Sequence, residues 1–264
     1  SDLVCSVDPH NDKADFKYLE DVPLKIYDSV CLCIPDDLKL SLINYCLDNK
    51  KNIIVEKPLK FNDIKIFKSI ERKSNKNKVI IYTAYNHRFE PSFIKMKKYL
   101  NMSIIGKIYS CRIFYGNGTA KLFKQSPWRD NGDGVLSDIG SHLLDLCIYW
   151  FPRKKINFKA IKLMKNENKS FDHVILGSEN ENPYIEIEMS LCMWKNYFSC
   201  DIIGESGSLH IQNLCKWGPS SIIYRKRKFP SGKPIEKKIT INKKDPTWKL
   251  EYLHFKKLVA KKEK

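Results

Sequence analysis

Over roughly the first eighty residues, short continuous apolar runs alternate with segments of helical spacing. Residues 3–7 form one run, ending at Asp8-Pro9. Residues 29–34 read SVCLCI and stop at Pro35; residues 52–55 read NIIV, and residues 78–83 read KVIIYT. Between these runs, residues 38–47 and 64–74 carry apolar side chains every three or four positions, the repeat that buries one face of a helix. Strands that are apolar throughout, separated by helices, belong to a parallel sheet covered on both faces. The pattern predicts doubly wound α/β architecture.

The text changes after about Asn86. A helix is expected over residues 91–99, a strand over 106–115 and a second helix over 137–150. From about Ile156 the residues mostly alternate apolar and polar, with clear strands at 184–191, 197–203, 208–211, 221–225 and 235–241. A final helix is expected over 251–262. Alternation means one face buried and one solvated, which suits an open antiparallel sheet with helices on one side. The expected fold is therefore α/β: an incomplete Rossmann-type doubly wound parallel sheet over residues 1–86, then an α+β domain with a large open, mostly antiparallel sheet over residues 87–264.

"Incomplete" refers to glycine. A dinucleotide-binding fold opens with a strand and a glycine-rich turn, because only glycine lets backbone N–H groups approach the pyrophosphate closely. The first glycine here is Gly106. The chain thus reads either as a fragment that starts at the second strand of such a fold and stops within a helix, or as a protein that does not bind a dinucleotide. On the first reading this stretch alone binds a dinucleotide poorly.

Composition narrows the class. No run of 18 apolar residues occurs, so no membrane span is expected, and residues 1–10 show no basic-then-apolar leader. Nine cysteines lie scattered without paired CxxC spacing, which argues against zinc and for reduced thiols in a cytoplasmic protein. Net charge is +17, yet only seven of 47 basic residues are Arg. Nucleic-acid readers lean on Arg for bidentate phosphate and base contacts. A Lys-dominated surface with its densest runs at 225–228 and 256–264 therefore reads as solvated face, and no nucleic-acid partner is expected.

Two places carry candidate chemistry. Glu56-Lys57-Pro58 follows the NIIV strand directly, at the strand end where such sheets bind ligands. Further on, residues 134–145 read GVLSDIGSHLLD. Asp138 and His142 are four apart and share a helix face, where a carboxylate can set the tautomer or basicity of an imidazole. Gly140 between them permits a close approach. The plainer alternative is an N-capping Asp138 and a core His142.

Taken in order, Val7-Asp8-Pro9, Ile34-Pro35, Glu56-Lys57-Pro58, Tyr85-Asn86-His87-Arg88-Phe89, Trp128-Arg129, the Asp138/His142 helix and the Gly204-to-Gly207 turn resemble the Gfo/Idh/MocA oxidoreductases. The resemblance implies a Rossmann domain followed by an α/β domain whose open sheet forms a homo-oligomer. It implies that Lys57 hydrogen-bonds the reacting oxygen, that His142 moves its proton and that Asp138 orients the substrate. It implies NAD rather than NADP, because Asp8 ends the second strand, where an acid binds the adenosine ribose hydroxyls. Cys33, Pro35, Glu56 and Asn86 match positions lining the nicotinamide half, and Trp128 and Arg129 a pair near cofactor and substrate. Arg88, Tyr115 and Lys121 are candidate sugar contacts, though Arg88 could equally be a structural partner of the second domain.

One departure concerns position 39, where the family usually has His and this chain has Lys. Residues 126–151 look most like members acting on sugars for surface polysaccharides. The implied activity is hydride transfer between a nicotinamide cofactor and a hydroxyl or keto carbon of a sugar or nucleotide sugar. The alternative is a catalytically silent relative that binds a metabolite or partner.

Overall fold

The computed structural model describes residues 3–152, 155–179 and 183–262. Ser1, Asp2, Glu263 and Lys264, the last two from the terminal basic run, lie outside the described residues. Residues up to Ala84, joined by those from Tyr252 onward, form one compact unit; Tyr85–Glu251 form another.

The first unit holds strands β1 (Ser29–Leu32), β2 (Asn52–Glu56) and β3 (Ile81–Ala84), paired in parallel in that order. Helix α1 (Asp36–Asp48) connects β1 to β2, and α2 (Ile64–Asn77) connects β2 to β3. Asp36 and Asp37 sit in the first turn of α1, where the N-terminal end of the helix dipole favours carboxylates. Asp63 caps α2 by accepting from Lys65 N at 2.8 Å, and Lys78 ends it in the left-handed region. Ile43, Cys46 and Leu47 of α1 join Ile53 and Val55 of β2 in a fully buried cluster. A buried side chain the size of Ile or Leu contributes about 1.5–3 kcal/mol relative to leaving it in water.

Residues 3–7 do not form the expected strand. Leu3 and Val4 are exposed, and the segment makes one isolated bridge, Val7 with Phe16. A strand needs a ladder partner, and among the described residues no strand pairs with this run.

The second unit is built on an eight-stranded sheet. Its strands are β4 (Ile108–Gly116), β5 (Phe158–Met164), β6 (His173–Ser178), β7 (Tyr184–Ser190), β8 (Tyr197–Gly204), β9 (Gly207–Gln212), β10 (Ser220–Lys226) and β11 (Ile235–Ile241). The spatial order is β11-β10-β9-β8-β4-β7-β6-β5, antiparallel throughout except for the β4–β7 pair. Alternation in β8 sends Phe198, Cys200 and Ile202 into the core and leaves Asp201 and Ile203 exposed. Helices α3 (Pro91–Asn101) and α5 (Ser141–Trp150) supply Phe93, Met96, Leu143, Leu146 and Trp150 to that same core. The indole N–H of Trp150 donates to the Phe93 carbonyl at 3.2 Å, tying the two helices together. Cross-strand polar partners cover the other face: Asp201 opposite His210, and Arg225 opposite Glu236. A short helix, α4 (Ala120–Lys124), follows β4, and α6 (Thr247–Lys262) closes the chain.

The helix expected over residues 137–150 is composite. Leu136–Gly140 wind as a π-helical turn, and regular α-helix begins only at Ser141. Gly140 explains the tight packing here, since a Cβ on it would lie 2.9 Å from both Leu136 Cδ1 and Met189 Sδ. The close approach expected at this glycine is therefore to β7.

Candidate active site

In the first unit, the ends of two neighbouring parallel strands gather the expected residues. Leu32 pairs with Val55, so Cys33-Ile34-Pro35 after β1 and Glu56-Lys57-Pro58 at the end of β2 leave the sheet side by side. Lys57 is half-buried, and the Lys57–Pro58 peptide is cis. Pro35 is exposed and starts α1. Cys33 lies 3.6 Å from Cys31, sulfur to sulfur, and hydrogen bonding from Cys31 is the main influence drawing its thiol down to about 7. Asp8 sits elsewhere in this unit, in the turn after the Val7 bridge, where its carboxylate accepts from His10 N at 2.8 Å.

Lys39 is the departure that the structure makes legible. Its side chain is buried, and its ammonium donates to Asp36 Oδ1 at 2.6 Å and to the carbonyl of Pro58 at 2.7 Å.

In the second unit, the π-helical turn and the start of α5 carry Asp138 and His142. The imidazole of His142 stacks on that of His87, with centroids 4.0 Å apart, and Tyr85 meets it edge-on at 5.9 Å. His87 stacks in turn on Tyr115, which projects from β4. Lys216, on the loop between β9 and β10, donates to Tyr115 Oη at 3.0 Å and lies 3.3 Å from His87 Nε2. Burial, followed by the charge of Asp138, pushes the Tyr115 phenol well above its ordinary value, so this hydroxyl stays protonated across the working pH range. The result is a partly buried set of rings with the Lys216 ammonium bonded to it and the charge of Asp138 acting on Tyr115.

The loop bearing Lys216 is anchored from below. The carboxylate of Glu90, 2% exposed, accepts from the backbone N–H and thiol of Cys215. Asn86 is buried, and its amide donates to Thr247 at 3.0 Å.

Other expected residues lie apart from this ring set. Arg88 is a bidentate partner of Asp145 on α5, its Nε at 2.7 Å. Trp128 is largely exposed, with the Arg129 guanidinium over its ring at 4.9 Å. Lys121 lines a surface cavity with Lys124, Gln125, Asn166 and Glu167. Sequence reasoning gave no role to Tyr85, His87 or Lys216. The first two stood inside a recognised motif, while Lys216 had only its place before a Trp-Gly-Pro turn to mark it. Among the described residues no cluster of three or more His, Cys, Asp or Glu could hold a metal, and no helix is long and apolar enough to cross a membrane.

A parallel sheet with crossover helices and a large, mostly antiparallel sheet with helices on one face are also found in solved structures of oxidoreductases. One is a levoglucosan dehydrogenase solved with NADH and L-sorbose: TM-score 0.69, 20% identity, covering 86% of this chain and 64% of that one. Residues 93–210 match the GFO/IDH/MocA C-terminal domain. The chain is 34% identical over 86 residues to a myo-inositol 2-dehydrogenase of Thermotoga maritima, covering 33% of this chain and 25% of that protein. It is 20% identical over 147 residues to an NADP-dependent scyllo-inositol 2-dehydrogenase of Bacillus subtilis, covering 54% and 40%. The chain thus matches between a quarter and two fifths of the length of these curated relatives.

Proposed function

We propose that the protein is an NAD-dependent oxidoreductase that moves a hydride between a nicotinamide cofactor and a hydroxyl or keto carbon of a sugar or nucleotide sugar. The observation that carries this reading is His142, seated on a helix start among Tyr85, His87, Tyr115 and Lys216, in a domain of a family whose relatives include inositol dehydrogenases.

The residues present suit the nicotinamide half of NAD. Cys33, Pro35 and Glu56 lie at the C-terminal ends of paired parallel strands, where open α/β sheets bind ligands. Asn86 belongs to the same set by family position. Asp8 is assigned to the ribose hydroxyls by family position alone, where an acid disfavours the added phosphate of NADP. When bound, NAD supplies the hydride acceptor or donor.

The chain's own residues supply the rest. Lys57 donates to the reacting oxygen and stabilises negative charge growing there. His142 takes the hydroxyl proton in oxidation and returns it in reduction, with Asp138 orienting the substrate. Tyr115, Lys216 and the exposed Trp128–Arg129 pair supply further contacts. The similarity of residues 126–151 points to sugars for surface polysaccharides. The polar outer face of the open sheet is where copies of the chain associate, in the cytoplasm. The division into a cofactor domain over residues 1–86 and a substrate domain from residue 87 belongs to the same proposal.

The test is turnover of a sugar and nucleotide-sugar panel by the full protein with NAD, followed by absorbance of the reduced nicotinamide. Lys57→Ala and His142→Asn should each lower kcat by about two to four orders of magnitude with the melting temperature retained. Wild-type turnover in either variant would remove that residue from the mechanism. Binding of sugars with no turnover in the parent protein would identify it as a silent relative.

A further inference from the structure

The residue at position 39 is a cation buried where a nonpolar side chain would cost nothing to desolvate. Its relative exposure is 2%, and it heads the inner face of the first turn of α1. A buried ammonium is retained only when oxygen partners replace the water it loses. Lys39 has two of different origin. Asp36 lies one turn back on its own helix, 2.6 Å away. The carbonyl of Pro58 lies nineteen residues on, at 2.7 Å, in the loop that leaves β2. The first contact fixes the ammonium relative to α1. The second carries that constraint across to Pro58, the residue immediately following Lys57.

We propose that Lys39 is a positioning residue for Lys57: it locks the loop after β2 to the start of α1 and so holds the Lys57 ammonium at the orientation hydride transfer needs. This rests on the catalytic role proposed above for Lys57.

Three features favour this over a purely structural ion pair. A pair serving only α1 would be satisfied by Asp36, whereas the second bond leaves the helix and ends on the residue next to the candidate catalytic lysine. That bond is to a backbone carbonyl, so it fixes the course of the main chain and not a mobile side chain. The same charge also bears on the neighbouring strand end: after the hydrogen bond from Cys31, the Lys39 ammonium helps lower the Cys33 thiol, against the opposing charge of Glu56. Lys39 is thus set among Cys33, Glu56 and Pro58, the residues of the two adjoining strand ends. Displacing a catalytic group by about 1 Å costs on the order of a hundredfold in rate, so a clamp one residue from it has leverage on kcat.

The experiment compares the full protein with Lys39→Met and Lys39→Arg, reading hydrogen exchange of residues 56–60 and steady-state kinetics with NAD. Lys39→Met removes both bonds at similar length. Lys39→Arg keeps a buried donor that reaches the same oxygens and guards against a Met variant that fails to fold. The expected result for Lys39→Met is faster exchange in residues 56–60 and a kcat lower by about 10–100-fold with little change in KM for NAD. Arg should recover most of both. Unchanged exchange in a folded Met variant overturns the clamp, as does equal loss in the Met and Arg variants. Faster exchange with wild-type kcat overturns the positioning role. If the parent protein turns over no sugar, the reading of Lys57 fails, while the exchange data still decide whether Lys39 holds the loop.

Discussion

Asp172 illustrates how much a single buried carboxylate organises here. It is fully buried and accepts from the backbone N–H groups of Asn166, Glu167 and Asn168, at 2.6–3.1 Å for its Oδ2. Burial by itself raises its carboxyl, but these donors together outweigh it and hold the group below the ordinary carboxylate value. They shape the loop between β5 and β6, whose Phe171 carbonyl accepts from Val135 N at 2.8 Å, just before the turn carrying Asp138. Asp172→Asn should destabilise the second unit by about 2 kcal/mol in urea titrations near neutral pH. Because the folded-state value is depressed, this contribution is complete above the unfolded carboxyl value near about 4 and is lost as pH falls through the lower folded value. The gap between wild type and variant should therefore narrow below about pH 4. A gap that widens there would contradict the assignment.

Among elements, the π-helical turn at Leu136–Gly140 matters most, and its entry depends on Gly134. That residue sits at φ +51°, and a Cβ on it would lie 2.2 Å from the Phe171 carbonyl oxygen. Backbone cannot yield as a flexible side chain can, so Gly134→Ala meets both left-handed strain and a clash with the very group that bonds Val135. A loss of at least about 2 kcal/mol is expected in chemical denaturation, along with disturbed packing of His142 on His87. A stability equal to wild type would show that the turn relaxes without this contact.

At the level of the whole molecule, the chain does not divide at a single point. Residues from Tyr252 onward cluster with the first unit, although they follow the second in sequence. Phe255 is buried there, and Tyr82 of β3 packs against it with ring centroids 6.3 Å apart. Phe255→Ala should cost about 3–5 kcal/mol, felt mainly in the first unit. Hydrogen exchange should show faster exchange in β3 with β8 and β9 unaffected; uniform acceleration in both units would mean they unfold as one.

The elements were legible wherever their pattern was local. The runs at 29–34, 52–55 and 184–191, and the helices at 38–47 and 64–74, show their period within a dozen residues, because burial of one or both faces dictates it. Residues 3–7 carry the same apolar signal, yet a strand also requires a neighbour to share its hydrogen bonds, and no local pattern encodes that. The strands β5 and β6 were read only as part of a general alternation. The π-helical turn was invisible because nothing in the local apolar pattern distinguishes it from α-helix; Met189, 49 residues away, packs so close to Gly140 that a Cβ there would lie 2.9 Å from its sulfur.

What the sequence determined by itself is the architecture and the chemical vocabulary: a parallel α/β unit, a larger open sheet, and Lys57, Asp138 and His142 in their order. Tertiary structure alone decided which groups keep company. It paired Arg88 with Asp145, brought Lys216 from a distant loop to His87 and Tyr115, and buried Lys39 against the carbonyl of Pro58. Periodicity is imposed by near neighbours along the chain, and so can be read there. Hydrogen bonds and ring contacts between residues far apart in sequence are set by strand register and helix packing, which exist only once the chain has folded.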